Sequence, residues 1–178
     1  EKFRQVLEDE YLHRKLIDGP APAIPERPID HVGVHKQKDG LNYVGVAPAS
    51  GRVSGTTLVA LADAAERAGS GRVRLTPQQK VVVLDVPDAE VDALKAALNT
   101  IGLQAEPSPW RRATMACTGI EFCKLAIVET KERAIRLVEE LEKRLADVHP
   151  DVPISIHLNG CPNACARTQV ADIGLKGM

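Results

Sequence analysis

Residues 72–86 read RVRLTPQQKVVVLDV, two strand-like runs on either side of a proline turn. Arg72 to Thr76 alternates polar and apolar side chains, and Lys80 to Val86 is dense in β-branched residues. Pro77 sets the turn between them, because it brings a fixed φ and no ladder donor. The period of two puts Arg72, Arg74 and Thr76 on one side of the first strand and Val73 and Leu75 on the other. That polar row is either a solvated sheet face or a surface that meets an anionic ligand.

Working outward, Tyr43 to Val46 reads as a short strand, and Thr56 to Ala68 carries Leu58, Leu61, Ala65 and Ala68 at helical spacing. Val91, Leu94, Leu98 and Ile101 mark a second amphipathic helix. The order strand, helix, strand, strand, helix predicts an α+β sandwich of ferredoxin-like type over residues 29–105, with both helices on one face of an antiparallel sheet. His31 and His35 fall in a strand-like stretch, where a spacing of four makes no helical ligand pair. Residues 1–28 read as a short helical arm followed by a linker, because GPAPAIPERP sets four prolines between Pro20 and Pro28.

Residues 106–178 read as a second, α/β module. A connector from Glu106 to Trp110 leads in, and a long helix is predicted from Cys123 to about Ala146. Its expected buried stripe is Leu125, Val128, Ile135, Val138, Leu141 and Leu145. Glu129 with Arg133, Glu132 with Arg136, Glu139 with Lys143 and Glu140 with Arg144 form i,i+4 pairs on its exposed face. His149-Pro150 ends that helix, and Pro153 to Leu158 alternates as a half-buried strand delivering its end into Asn159-Gly160-Cys161. ADIGLKGM then begins a further strand and turn. The chain starts at Glu1 and stops there at Met178, so a stretch of a longer polypeptide is expected.

Composition narrows the partners. With 44% hydrophobic and 26% charged residues the chain is globular, and a net charge of -1 leaves no nucleic-acid footprint. No apolar run is long enough to span a membrane and no leader is recognisable, so a cytoplasmic protein with reduced thiols is expected.

All four cysteines stand in two pairs. Five residues separate Cys117 from Cys123, 37 separate Cys123 from Cys161, and three separate Cys161 from Cys165. Structural zinc knuckles are usually tighter and more alike, whereas a cubane iron–sulfur cluster takes four thiolates from more widely spread backbone. Gly119, Gly160 and Pro162 suit loops whose amides approach cluster sulfurs. Cys123, at the expected start of the long helix, would gain thiolate character from the helix dipole. A zinc-stapled domain and a disulfide framework remain alternatives on spacing alone.

Cys-x5-Cys in ATMACTGIEFCKLA, then Cys-x3-Cys in LNGCPNACAR followed by VADIGLKG, resembles the assimilatory nitrite and sulfite reductases that carry sirohaem and a 4Fe-4S cluster. The resemblance covers residues 29–178 and is to the second copy of a repeated ferredoxin-like and cluster-bearing pair. It implies that Cys117, Cys123, Cys161 and Cys165 hold the cubane and that Cys165 also bridges to the sirohaem iron. It implies sirohaem contacts at Gln79 and Asn163, and makes Arg74 and Thr76 partners for the carboxylate-rich macrocycle. The implied activity is six-electron reduction of sulfite to sulfide, or nitrite to ammonia, with ferredoxin or a similar donor; sulfite is the expected anion. Arg111 and Arg112 are the nearest candidates for a cationic anion-binding wall. The rest of that wall is expected from the first half of the same polypeptide, so the stretch alone is expected to be inactive. A cluster-bearing electron-transfer module without sirohaem is the alternative.

Overall fold

A computed structural model describes residues 1–20, 30–148, 150 and 154–178. Most of the proline-rich linker, His149 and Pro153 lie outside the described residues.

Six elements build the first sheet and its helices: β1 (Gly33–Lys36), β2 (Asn42–Val46), α2 (Gly55–Arg67), β3 (Val73–Leu75), β4 (Val81–Val86) and α3 (Val91–Thr100). A short helix α1 (Lys2–Val6), continued by a wider π-helical turn, precedes them as the expected arm. The strand order is β1-β2-β4-β3 with every pairing antiparallel. Val44, Val46, Val81, Val83 and Val86 point to one face and pack on Leu61, Ala64, Ala65, Leu94 and Leu98 of the two helices. A bulge opposite Tyr43 lets both Val83 and Val86 reach that core, and Asp85 there takes a φ of +59°. The ferredoxin-like α+β expectation is borne out.

The burial of α2 differs from its predicted stripe. Leu58 is exposed, and Ala64 takes its place in the core. The helix meets the sheet through its second half, where alanines permit close approach. Ser54 caps it, accepting the N–H of Thr57 at 3.0 Å.

The second region holds α4 (Pro109–Ala113), β5 (Thr114–Ala116), α5 (Lys131–Arg144), β6 (Ile156–Asn159) and β7 (Ile173–Lys176). Its three strands run parallel in the order β5-β6-β7. β6 is buried at all four positions rather than half-buried, because a central parallel strand is covered on both faces. His157 is tolerated there because its Nδ1 lies 3.1 Å from the carbonyl oxygen of Arg167. Trp110, Ala116, Ala134, Ile156 and Leu158 form a second core.

α5 is shorter than predicted. Leu125 and Val128 belong to the loop before it, Leu125 being exposed, although both fall in phase with its apolar stripe. Among the expected surface pairs, Glu132–Arg136 and Glu140–Arg144 are formed. Glu129 instead accepts the backbone N–H groups of Glu132 and Arg133, and so closes the helix start. No described helix is long and apolar enough to cross a membrane.

Candidate functional site

Both cysteine loops begin at the carboxyl ends of neighbouring parallel strands. Cys117 directly follows β5, and Cys161 follows β6 by two residues. Those strand ends are where backbone leaves a parallel sheet and where ligands gather in such folds. The loops are stitched together: the N–H of Cys117 donates to Leu158 at 2.9 Å and that of Ile127 to Gly160 at 2.8 Å. A Cβ on Gly160 would lie 2.9 Å from the Ala126 Cβ and 3.0 Å from the Val128 carbonyl oxygen, so only glycine allows this approach.

All four cysteines are free thiols, with Cys161 buried, Cys117 and Cys123 half-buried and Cys165 exposed. The Gly160 N–H donates to Cys117 Sγ at 3.1 Å, and the Thr130 hydroxyl donates to the Cys117 carbonyl at 2.7 Å while lying 3.7 Å from its sulfur. Cys123 does not open the long helix. It closes a turn whose N–H donates to Gly119 at 3.0 Å, eight positions before α5. The α5 N-terminus therefore stands beside the Cys117 end of the loop. Thr130, its first capping residue, is diverted to the Cys117 carbonyl, which links helix start and thiol.

Asn159 organises the second loop, a role the sequence signalled only by its place before Gly160-Cys161. Its buried amide accepts from the Ala166 N–H at 2.8 Å and donates to the Thr168 hydroxyl at 3.1 Å. Ala164 and Arg167 take positive φ values within this tight turn, and Asn163 stands exposed. Free thiols on two interlocked loops, with an amide already directed at one sulfur, suit a thiolate-ligated cluster. Among the described residues no three His, Cys, Asp or Glu side chains are gathered closely enough for a single ion.

The open face of the antiparallel sheet carries a groove of about 320 Å³, lined by His31, Tyr43, Arg74, Thr76, Val82 and Leu84 among others. Arg74 and Thr76 share this face as the period of two requires. Arg72 is committed to Asp85 through two hydrogen bonds, and with Gln37 it holds that carboxyl down to about 2. Arg74 is exposed and has no ion-pair partner among the described residues. His31 Nδ1 lies 3.2 Å from the Tyr43 hydroxyl, and His35 stacks on the Tyr43 ring at 4.8 Å.

Residues 35–101 match the family model described as the nitrite/sulfite reductase ferredoxin-like half domain. Over 99% of its length the chain is 65% identical to sulfite reductase (ferredoxin) 1 of Mycolicibacterium paratuberculosis, covering 32% of that protein. It is 40% identical over 99% of its length to the ferredoxin–nitrite reductase of Synechococcus elongatus, covering 34% of it. The solved structure of the Mycobacterium tuberculosis NirA protein matches with a TM-score of 0.86 and 62% identity, over 99% of this chain and 33% of that one. The chain thus spans about a third of the length of the curated relatives it matches. The resemblance read from the cysteine motifs is borne out.

The half domain is fastened to the cysteine loops along a polar seam. Gln79, expected at the sirohaem, spends both ends of its amide on Ala116: Nε2 donates to the carbonyl at 2.6 Å and Oε1 accepts the N–H at 3.2 Å. Arg167 donates to the Pro77 carbonyl at 2.9 Å, and Arg52 pairs with Glu121 at 2.7 Å. Arg112 grips Asp30 at 2.6 and 2.7 Å, and Arg111 grips Glu142 at 2.8 and 3.0 Å, so both candidates for an anion wall are already paired. Burial raises Asp30, yet its bonds to Arg112 and Val32 outweigh that and hold the carboxyl below the usual range. Beside it Lys80 is almost fully buried, and burial pushes its ammonium down to about 8.

Proposed function

We propose that the chain is the second-half part of a ferredoxin-dependent sulfite reductase, reducing sulfite to sulfide at a sirohaem coupled to a 4Fe-4S cluster. One observation carries this reading: both cysteine pairs stand on loops that leave adjacent parallel strands and lock onto each other. The 65% identity to a ferredoxin sulfite reductase, against 40% to a ferredoxin–nitrite reductase, favours sulfite over nitrite.

In this proposal residues 29–105 form the half-domain module and residues 106–178 the cofactor module. Cys117, Cys123, Cys161 and Cys165 would hold the cluster, and Cys165, the exposed member, would also serve the sirohaem. Arg74 offers its free guanidinium to the carboxylate rim of the macrocycle, with Thr76 and Asn163 as neutral contacts. Tyr43, Val82 and Leu84 give the groove an apolar floor that excludes water from the same surface. Gln79 serves from the seam, fixing Ala116 and hence the backbone of Cys117. When bound, the two cofactors would relay electrons from the ferredoxin-type donor and supply the iron centre for the anion. The distal cations come from the first half of the polypeptide, because Arg111 and Arg112 are occupied.

The test is steady-state reduction of sulfite and of nitrite by the full-length protein with reduced ferredoxin, with its visible spectrum recorded alongside. The expected result is a sirohaem spectrum, faster turnover of sulfite, and no turnover by residues 1–178 alone. An iron–sulfur spectrum without a tetrapyrrole band would instead make the protein an electron carrier.

A further inference from the structure

Lys131 opens α5 at the seam between the half domain and the cysteine loops. Its half-buried Nζ donates to the Ala116 carbonyl at 2.8 Å, the Ser50 carbonyl at 2.5 Å and Gln79 Oε1 at 3.3 Å. Three acceptors around one nitrogen demand three N–H groups, which only the protonated amine has. Two of these acceptors lie on turns of the half domain, and the third is the residue before Cys117. Gly51, next to Ser50, has a φ of +69° and would place a Cβ 2.6 Å from the Gln79 Cβ, so the two turns meet with no slack.

Among the described residues no carboxylate forms an ion pair with the Lys131 ammonium. Burial pushes the Lys131 amine below its ordinary value, Cys117 pushes it back up, and Arg52 pushes it down again. The hydrogen-bond partners of Cys117 itself are neutral dipoles: the Gly160 N–H at its sulfur and the Thr130 hydroxyl at its carbonyl. Lys131 is thus a full positive charge tied to the carbonyl of Ala116, the residue before Cys117, by bonds that its own flexibility does not loosen.

We propose that Lys131 tunes the reduction potential of the group held by the four cysteines, its fixed ammonium stabilising the more negative, reduced state. The inference rests on the cluster reading above. Reduction adds one negative charge to a thiolate-ligated cluster, and a fixed cation in a partly desolvated site lowers the energy of that state more than that of the oxidised one. Lys131 is therefore a positioning and tuning residue. It contacts neither substrate nor, through its own side chain, the reacting atoms.

The experiment is a redox titration of the full-length holoprotein, following the paramagnetic signal of the reduced cluster, with iron and acid-labile sulfide measured first. Lys131→Met and Lys131→Gln are expected to lower the potential, so that at the parental midpoint the reduced-to-oxidised ratio falls roughly three- to tenfold, tenfold being about 59 mV for one electron. Lys131→Arg, which keeps the charge, is expected to stay at the parental value. Lys131→Gln keeps a hydrogen-bonding end at the seam, so a shift in that variant reports charge even where Lys131→Met loses cluster. A fully loaded Lys131→Gln protein at the parental potential overturns the proposal, and so does an arginine variant displaced as far as the glutamine one. Absence of iron and sulfide from the parental protein overturns the cluster reading and this inference with it.

Discussion

Replacing Gly119 by alanine should loosen the first cysteine loop by a calculable amount. Gly119 has a φ of +71°, and a Cβ there would stand 2.6 Å from Thr130 Oγ1 and 2.9 Å from the Thr130 nitrogen. The left-handed backbone costs a residue with a Cβ roughly 1–2 kcal/mol. The contact adds about 1–3 kcal/mol, the usual range for overpacking. Thr130 has little freedom to yield, because its hydroxyl donates to the Cys117 carbonyl at 2.7 Å and its backbone starts α5. Gly40 provides the control: its φ is +89°, but a Cβ there would meet no atom within 4 Å, so Gly40→Ala carries only the backbone cost. Followed by circular dichroism, thermal unfolding of Gly40→Ala should shift down by roughly 2–8 °C and that of Gly119→Ala by roughly 4–20 °C. Cluster content should fall in the second variant alone, since the Gly119 carbonyl receives the N–H of Cys123. Equal thermal shifts in the two variants would refute the view that the Thr130 contact shapes the loop.

Two further outcomes are expected. Lys80 is held at about 8 by burial, below the ordinary 10.5, so folding favours its neutral form. Stability should therefore rise as pH climbs from about 8 toward 10.5, where the unfolded chain binds the proton and the folded one does not. Lys80→Met should abolish that slope and raise stability at pH 7 by on the order of 1–3 kcal/mol, read from urea midpoints at pH 7 and 9.5. A variant less stable than its parent at pH 7 would count against a penalised buried charge. Arg74→Ala should leave the melting temperature unchanged, since Arg74 is exposed, but weaken retention of a carboxylate-rich tetrapyrrole about ten- to hundredfold. Absorbance retained after gel filtration measures this, and full retention would remove Arg74 from the proposed contacts.

Much of the half domain was legible because its information is local. The alternation in residues 72–76 placed Arg74 and Thr76 on the open face, and Leu94 and Leu98 recur at helical spacing and are buried. The start of α5 was not legible in the same way. Leu125 and Val128 continue the helical phase by coincidence, and what ends the loop is a contact 13 residues back, from the Thr130 hydroxyl to the Cys117 carbonyl. β6 misled for a similar reason: His157 suggests a wet face, but the loop carrying Arg167, ten residues on, folds over it and meets its ring at 3.1 Å.

The candidate site divides along the same line. By itself the sequence determined the supply of thiols, four cysteines and no fifth, and the glycines that let their loops approach. Only the tertiary structure decided that Cys117 and Cys161 leave adjacent parallel strands, and that Gln79 and Lys131 serve the seam. It also decided that Arg112 is spent on Asp30, 82 residues away. The physical reason is range: periodicity records neighbours two to four residues apart, whereas strand register and ion-pair choice are set when distant segments pack.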